Sequence, residues 1–170
     1  PYTKLKSIVI CSSAFSGSSM ESLILPKNVK SLAIFSYAFE ECKYFTGLDL
    51  SSCTVLESVL IECSAFNSCR SFVMFKLSPN LKVLVIDNDV FSCLPLKEFI
   101  VPDSVNYLRI GNETFAGCQD LEKVKIPSVE DSVVDPRAFV ATNVYSFELP
   151  EDMRQRLVTN DEELVLEDDE

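Results

Sequence analysis

Apolar residues recur along the chain at regular intervals, and each interval is marked by a phenylalanine. Apolar residues also occupy the positions ten, seven and five residues before most of these phenylalanines, as in Val105, Leu108 and Ile110. Recurrence in several columns indicates a chain built from six copies of one structural unit. The six marking residues lie 24, 27, 25, 24 and 24 residues apart: Phe15, Phe39, Phe66, Phe91, Phe115 and Phe139.

Each repeat contains two segments of the form L-x-x-L-x-L, such as 105–110 and 121–126. The last three residues of each segment alternate in polarity and favour β-branched side chains, which predicts a short strand. Between the segments, Phe115, Cys118 and Leu121 recur every three residues, and this spacing favours a single helical or 3₁₀ turn. Because one such unit cannot bury its own apolar face, we expect the repeats to stack into a mainly β solenoid.

The repeat pattern resembles the BspA-like leucine-rich repeat family over residues 5 to about 150. The resemblance implies a right-handed leucine-rich-repeat superhelix of six repeats. It also implies a surface protein of anaerobic bacteria or protist parasites, of a type implicated in adhesion to host or matrix proteins. The repeat at 101–127 matches the family most fully, through Val101-Pro102, Gly111, Phe115, Cys118 and Ile126-Pro127. Elsewhere the family's glycine is replaced by Cys11, Phe35, Glu62, Asp87 and Asp135.

We predict two regions, a repeat solenoid over residues 1–150 and an acidic C-terminal cap or tail over residues 151–170. The second region carries nine acidic and two basic residues, a net charge of −7. Pro150 followed by Glu151 and Asp152 is typical of a helix start, so we expect a short helix or turn that caps the open end of the core. We interpret residues 164–166 as a candidate last edge strand, and the carboxylates around it as a solvated tail rather than a calcium site.

The composition excludes several classes of function. The 170 residues contain no histidine, which removes the commonest general base and mixed Cys/His zinc sites. Four scattered glycines do not make a phosphate-binding loop, and a net charge of −11 argues against a nucleic-acid partner. No apolar run reaches the roughly 18–20 residues of a membrane-spanning helix. From this composition we expect no enzyme activity, no cofactor, no metal and no membrane insertion within the chain. Since the chain opens on Pro1, we also expect it to be an excised fragment.

Four of the seven cysteines lie two or three residues after a repeat phenylalanine, in a column that holds Ser or Ala in the end repeats. Such a column is typical of small side chains packed at a turn, so we expect buried free thiols there. An odd number of cysteines and the lack of a C-x-x-C pair argue against a complete disulfide framework or a zinc site. The four are Cys42, Cys69, Cys93 and Cys118, while Cys11, Cys53 and Cys63 lie outside the column.

The outward-facing positions of the two strands differ in polarity. In the second strand they are mostly polar: Ile24, Asp49, Lys76, Ile100, Lys125 and Glu148. In the first strand five of six are apolar: Val9, Ala33, Leu60, Val85, Arg109 and Val133. Contiguous exposed apolar surface is typical of a binding site. The alternative is that β-branched residues simply suit a flat sheet, or that flanking repeats cover them. We predict a partner-binding site at Val9, Ala33, Phe35, Leu60, Val83, Val85, Tyr107 and Arg109.

These observations favour a non-enzymatic protein-binding module in a cell-surface or secreted adhesin or antigen. Its partner would be a host or matrix protein, or a second copy of the chain, which would make it an oligomer. The alternative is a cytoplasmic interaction scaffold, in which thiols stay reduced and the apolar row is an assembly contact. Disulfides, or a glycan on the sequon Asn112-Glu113-Thr114, would favour the surface interpretation.

Overall fold

A computed structural model describes residues 5–144 and 146–157 of the chain. In it the chain winds into a parallel β-solenoid, which confirms the predicted fold class. We number its six coils 1 to 6 after the phenylalanines at 15, 39, 66, 91, 115 and 139. The elements are β1 (Ser7–Ile10), β2 (Ser31–Ile34), β3 (Gly47–Asp49), β4 (Ser58–Ile61), β5 (Met74–Lys76), β6 (Val83–Ile86), β7 (Glu98–Ile100), β8 (Tyr107–Ile110), β9 (Lys123–Lys125), β10 (Asp131–Val134), β11 (Ser146–Glu148) and α1 (Glu151–Arg154).

The first strands of all six coils form one continuous parallel sheet in the order β1-β2-β4-β6-β8-β10. The second strands form two separate sheets, β3-β5 and β7-β9-β11. Coil 1 does not form the second strand that its sequence predicts, since residues 22–25 are assigned to no strand. That coil has a described neighbour on one side only, and a short strand needs paired neighbours to be stable.

Alternate residues of each strand point into a core that runs the length of the solenoid. In β4, for example, Val59 and Ile61 are buried while Ser58 and Leu60 are only partly covered. At the centre, the repeat phenylalanines stack with their planes within 23° of one another and consecutive centroids 4.9–5.7 Å apart. The rings of coils 2 to 5 are thus each covered by the rings of the coils on either side.

Coil 1 is the exception, because some of its predicted core positions lie open although Ile10 and Leu25 are buried. Phe15 keeps 38% of its surface exposed and Leu5 keeps 40%, whereas Phe39 in the next coil is fully buried. Ile24, predicted to face outwards, is 89% exposed. The stack of rings therefore ends without cover at the coil 1 side of the described chain.

The helical or 3₁₀ turn predicted between the two strands is present only as single i→i+3 turns, such as that closed by the Cys118 N–H on the Phe115 carbonyl at 3.1 Å, and these do not join into a helix. Each coil instead makes successive tight turns in which residues two before or two after the phenylalanine adopt the left-handed conformation, as do Tyr37 (φ 60°) and Glu41 (φ 55°). This conformation costs a non-glycine residue roughly 1–2 kcal/mol. It also turns the Glu41 N–H towards the next coil, where it donates to the Asn67 carbonyl at 2.8 Å. Bonds between coils thus select a backbone that a helical turn would not allow.

Helix α1 follows directly on Pro150 and carries Glu151 and Asp152 in its first turn. Met153 and Leu157 are buried and belong to the hydrophobic core. The short helix that the sequence predicts is therefore present. The candidate edge strand at 164–166 and the carboxylates around it lie outside the described residues.

We expect Phe91→Ala to lower the free energy of unfolding by about 3–5 kcal/mol, because it leaves a cavity between two stacked rings. Chemical denaturation monitored by circular dichroism measures this loss. Phe15→Ala is the matched control, because it removes the same side chain from the open end of the same column. An equal loss in both variants, or no loss in Phe91→Ala, would show that the stack does not hold the coils together.

Candidate functional site

The six residues of the predicted apolar row lie side by side on the outer face of the first-strand sheet. The register of the parallel pairs aligns them one per strand, with no shift at any step. Neighbouring strands in such a sheet are about 4.8 Å apart, so the row crosses roughly 24 Å of surface. In order of the coils, the row is Val9, Ala33, Leu60, Val85, Arg109 and Val133.

The row is most exposed at its ends. Val9 is 53% exposed and Val133 is 62% exposed, while Ala33, Leu60 and Val85 are half-buried by the side chains around them. The middle of the row is thus a flat apolar strip, and only Arg109 places a charge within it. Its strands are joined by an unbroken hydrogen-bonded ladder, which fixes the spacing of its side chains.

The other predicted site residues lie on the same outer face at different distances from the row. Val83 and Tyr107 are paired with each other at the starts of β6 and β8, and Tyr107 is 37% exposed. Phe35 comes directly after β2 and is half-buried. The structure therefore places Val83 and Tyr107 next to Val85 and Arg109, and Phe35 beyond the opposite end of its strand.

Charged residues flank the row on both sides, and the sequence analysis did not assign them to the site. Directly before the strands the column is of mixed charge, and its Lys30 forms an ion pair with Glu57 at 3.0 Å. The column is Lys6, Lys30, Glu57, Lys82, Asn106 and Glu130. After the strands lie acidic side chains in the column where the family has glycine. The recurrence of acidic residues in that column is the sequence signal from which this border could have been predicted. The acidic set is Glu62, Asp87 and Asp135.

Several of these acidic groups are held in place by neighbouring polar groups. One carboxylate oxygen of Glu62 accepts hydrogen bonds from both the backbone N–H and the hydroxyl of Ser36, each at 3.1 Å. Asp87 accepts from the Asn88 N–H at 3.0 Å. The acidic edge is therefore preorganised, whereas the opposite edge of the face is of mixed charge.

The sequon at Asn112 has a structural use for its threonine. Thr114 is fully buried, and its hydroxyl lies 2.7 Å from the Gly111 carbonyl oxygen and 3.0 Å from that of Asp87. Gly111 is required here, because a Cβ at this position would collide with the Asn88 amide oxygen. That oxygen accepts the Asn112 N–H at 2.9 Å. These contacts join coils 4 and 5.

Three of the four cysteines in the predicted column are buried and act as hydrogen-bond donors between coils. The thiol of Cys42 lies 3.0 Å from the Phe15 carbonyl oxygen, and Cys69 is placed in the same way against Phe39 at 2.9 Å. Cys118 lies 3.0 Å from the carbonyl oxygen of the coil 4 phenylalanine. All seven cysteines are free thiols in the structure. A thiol is thus small enough for the core and still donates to a buried carbonyl.

The expectation that Cys93 belongs to this buried column is wrong. Cys93 is exposed and has a left-handed backbone (φ 58°), because it follows Phe91 by two residues rather than three. Leu94 takes the buried position and is 2% exposed. Among the cysteines outside the column, Cys53 is buried, Cys63 is half-buried and Cys11 is exposed.

A second apolar surface lies at the open end of coil 1. It surrounds a cavity of about 510 Å³ lined by Leu5, Ile8, Val9, Phe15, Leu23 and Ile24. Val9 belongs both to this surface and to the apolar row. The apolar area on the outer face therefore continues around the edge of β1.

In the part of the chain that the structure describes, no three His, Cys, Asp or Glu side chains are grouped as a metal site would require. None of the described helices combines the length and the apolar character needed to span a bilayer.

Comparison with protein families gives a direct match. A family model described as a BspA type leucine rich repeat region matches residues 44–156, in six copies. Comparison with curated proteins gave no significant match.

Two solved structures are similar to this chain. One is a leucine-rich repeat protein of T. pallidum, at 17% identity and a TM-score of 0.40, with 88% of this chain and 74% of that chain covered. The other is a leucine-rich repeat protein from Bacteroides ovatus, at 20% identity and a TM-score of 0.36, with 91% and 54% covered. The chain thus spans about three quarters of one of these proteins and about half of the other.

We expect Cys11 and Cys93 to react with a thiol reagent at pH 8 much faster than Cys69 and Cys118. Burial raises the pKa of the Cys69 and Cys118 thiols to about 12, and only the thiolate is nucleophilic. Peptide mapping of the native protein after brief alkylation measures the order, with the denatured protein as control. If Cys118 were modified as fast as Cys93, the result would contradict the burial of the Cys118 thiol in the turn.

Proposed function

Because the chain belongs to the BspA-type leucine-rich repeat family, we propose that it is a non-enzymatic protein-binding module whose contact surface is the outer face of the first-strand sheet. We further propose that the module belongs to a cell-surface or secreted adhesin or antigen with a host or matrix protein as its partner. Leucine-rich repeats suggest protein interaction, and the family is commonly surface-associated in bacteria.

The observation that carries this proposal is the alignment of outward-facing side chains across six strands, of which five are apolar and the sixth is Arg109. A soluble face that had no partner would alternate core and polar residues, as the second-strand face does with Asp49 and Lys76. The first-strand face instead places Leu60 beside Val85, in register, where water would otherwise cover them. Apolar surface of this kind, bordered by charge, is typical of a contact with another protein.

The mechanism of binding would be complementarity to a surface whose side-chain spacing is fixed by the hydrogen-bonded ladder. The parallel ladder fixes the backbone of the face, so its side chains lose little conformational freedom when a partner covers them. A partner would place apolar residues against Ala33, Leu60 and Val85. The lysines before the strands and the acidic groups after them would orient it, since charges at the rim of an interface determine orientation more than affinity.

The alternative function is an intracellular scaffold in which a second copy of the chain covers the apolar row. The observation that favours it is the set of seven free thiols, which is typical of a reducing compartment. The buried position of Thr114 in the sequon is compatible with either location.

We expect Leu60→Glu to abolish binding to an extracellular-matrix protein that the wild type binds, while folding is retained. The measurement is binding to a panel of immobilised matrix proteins, with circular dichroism as the check on folding. Ile100→Glu is the matched control, because Ile100 is a half-buried apolar residue on the second-strand face. Its binding should equal that of the wild type.

Three results would contradict the proposal. They are unfolding of Leu60→Glu, equal loss of binding in both variants, or no binding of the wild type to any protein of the panel. Labelling of intact cells by antibodies to this domain tests the location separately. Labelling that requires permeabilised cells would favour the scaffold.

A further inference from the structure

The five joints between successive coils are not equivalent, and the joint between coils 3 and 4 differs from the others. At the joints 1–2, 2–3 and 4–5, three backbone N–H groups of one turn donate to carbonyl oxygens of the next. At the joint 4–5, for instance, Asp89, Phe91 and Cys93 donate at 3.1, 2.8 and 2.8 Å. At the joint 5–6 two such bonds remain, from Phe115 and Gly117.

At the joint 3–4 only one of these bonds is formed, from Ser64 to the Asn88 carbonyl at 3.1 Å. In the described part of the chain, the N–H groups of Phe66 and Ser68 make no bond to coil 4. The two turns are separated there by a crevice of about 550 Å³, lined by Asn67, Ser68, Arg70, Asp89, Ser92 and Cys93.

The second-strand side of the same joint is also open. The strand β5 of coil 3 and the strand β7 of coil 4 belong to different sheets, whereas β7 and β9 are paired in register. A second crevice of about 280 Å³ lies between them, lined by Phe75, Leu77, Ile100 and Pro102. The Phe66 and Phe91 rings are 5.7 Å apart, the widest separation between successive rings of the stack.

The first-strand side of the joint is closed. All four residues of β4 pair with β6, and the Lys82 N–H donates to the Glu57 carbonyl at 2.8 Å. Near the start of the first strand, the Asn80 side-chain amide donates to the Thr54 carbonyl oxygen at 2.9 Å. Coils 3 and 4 are therefore in contact along one edge and separated along the other two, as in a wedge.

Leu94 accounts for the position of the wedge. In coils 2, 3 and 5 the equivalent residue is a cysteine that donates to the phenylalanine carbonyl of the preceding coil. Leu94 takes this position in coil 4, where it lines the first crevice together with Ser64 of coil 3, but its side chain is larger than that of cysteine and has no donor. Pro95 follows it and lacks the backbone N–H. The bulk of Leu94 thus separates coil 4 from coil 3 and leaves the joint 4–5 unaffected.

We propose that the joint between coils 3 and 4 is a hinge. The hydrogen-bonded edge between β4 and β6 is its pivot, and the two crevices open and close on the opposite sides. Leu60 and Val85 lie on either side of the pivot. Opening of the hinge therefore changes the curvature of the first-strand face without breaking its ladder.

Distances between pairs of spin labels, measured by pulsed electron paramagnetic resonance, test this proposal. One pair, Lys43→Cys and Asp120→Cys, spans the joint on the loop side between coils 2 and 5. The reference pair, Lys30→Cys and Asn106→Cys, spans the same coils on the first-strand side. Both are placed in a background in which Cys11, Cys63 and Cys93 are serine, since the buried thiols do not react. We expect a broader distribution for the loop-side pair, with its added population at longer distances.

Leu94→Cys should narrow the distance distribution of the loop-side pair. The substitution removes the bulk of the leucine side chain and introduces a thiol that can donate to the Phe66 carbonyl. Cys118→Leu is the reciprocal variant and should broaden it by opening the joint 4–5. A wild-type loop-side distribution as narrow as that of the reference pair would overturn the hinge, and this comparison does not depend on how either variant folds. A broad distribution that Leu94→Cys leaves unchanged would overturn the role assigned to Leu94.

Discussion

The stacking of one coil on the next is the constraint on which the rest of the structure depends. A single coil presents an apolar edge that it cannot cover itself, so each inner phenylalanine ring of the stack needs the rings before and after it to be fully buried. The backbone follows the same rule in part, since alternate N–H groups of the turns donate to the next coil, while those between them close tight turns within their own coil. The solenoid is therefore stable as an array, and each coil depends on the quality of its two joints.

The inside and outside of the strands could be predicted from the sequence, because alternation within each strand repeats six times with the same phase. The conformation of the turns could not. Neither Tyr37 nor Glu41 is of a residue type that favours the left-handed backbone. They adopt this conformation because carbonyl groups of the next coil accept hydrogen bonds from their N–H groups. Cys93 was misassigned for a related reason. The cysteine column was defined as two or three residues after the repeat phenylalanine. This definition does not distinguish the exposed turn position from the buried position beside it.

The apolar row was recognised from the sequence because its members recur at one position of the repeat. The acidic border of the face carries a weaker signal, because Glu62, Asp87 and Asp135 occupy the column after the strands in only three of the six coils. The opening between coils 3 and 4 left no periodic signal at all, since it depends on the volume of one side chain, Leu94, against the coil below it. Repetition in the sequence thus predicts what the coils share, and the structure shows where one of them differs.

The central claim of this account is that the first-strand face is a free surface that another protein covers. The most direct test is the solution mass of the domain by light scattering, with the wild type and Leu60→Glu measured at the same concentration. The account predicts two folded monomers of equal mass, which leaves the row available to a foreign partner. A wild-type oligomer that Leu60→Glu converts to monomers would contradict it, because the row would then be covered by a second copy of the chain.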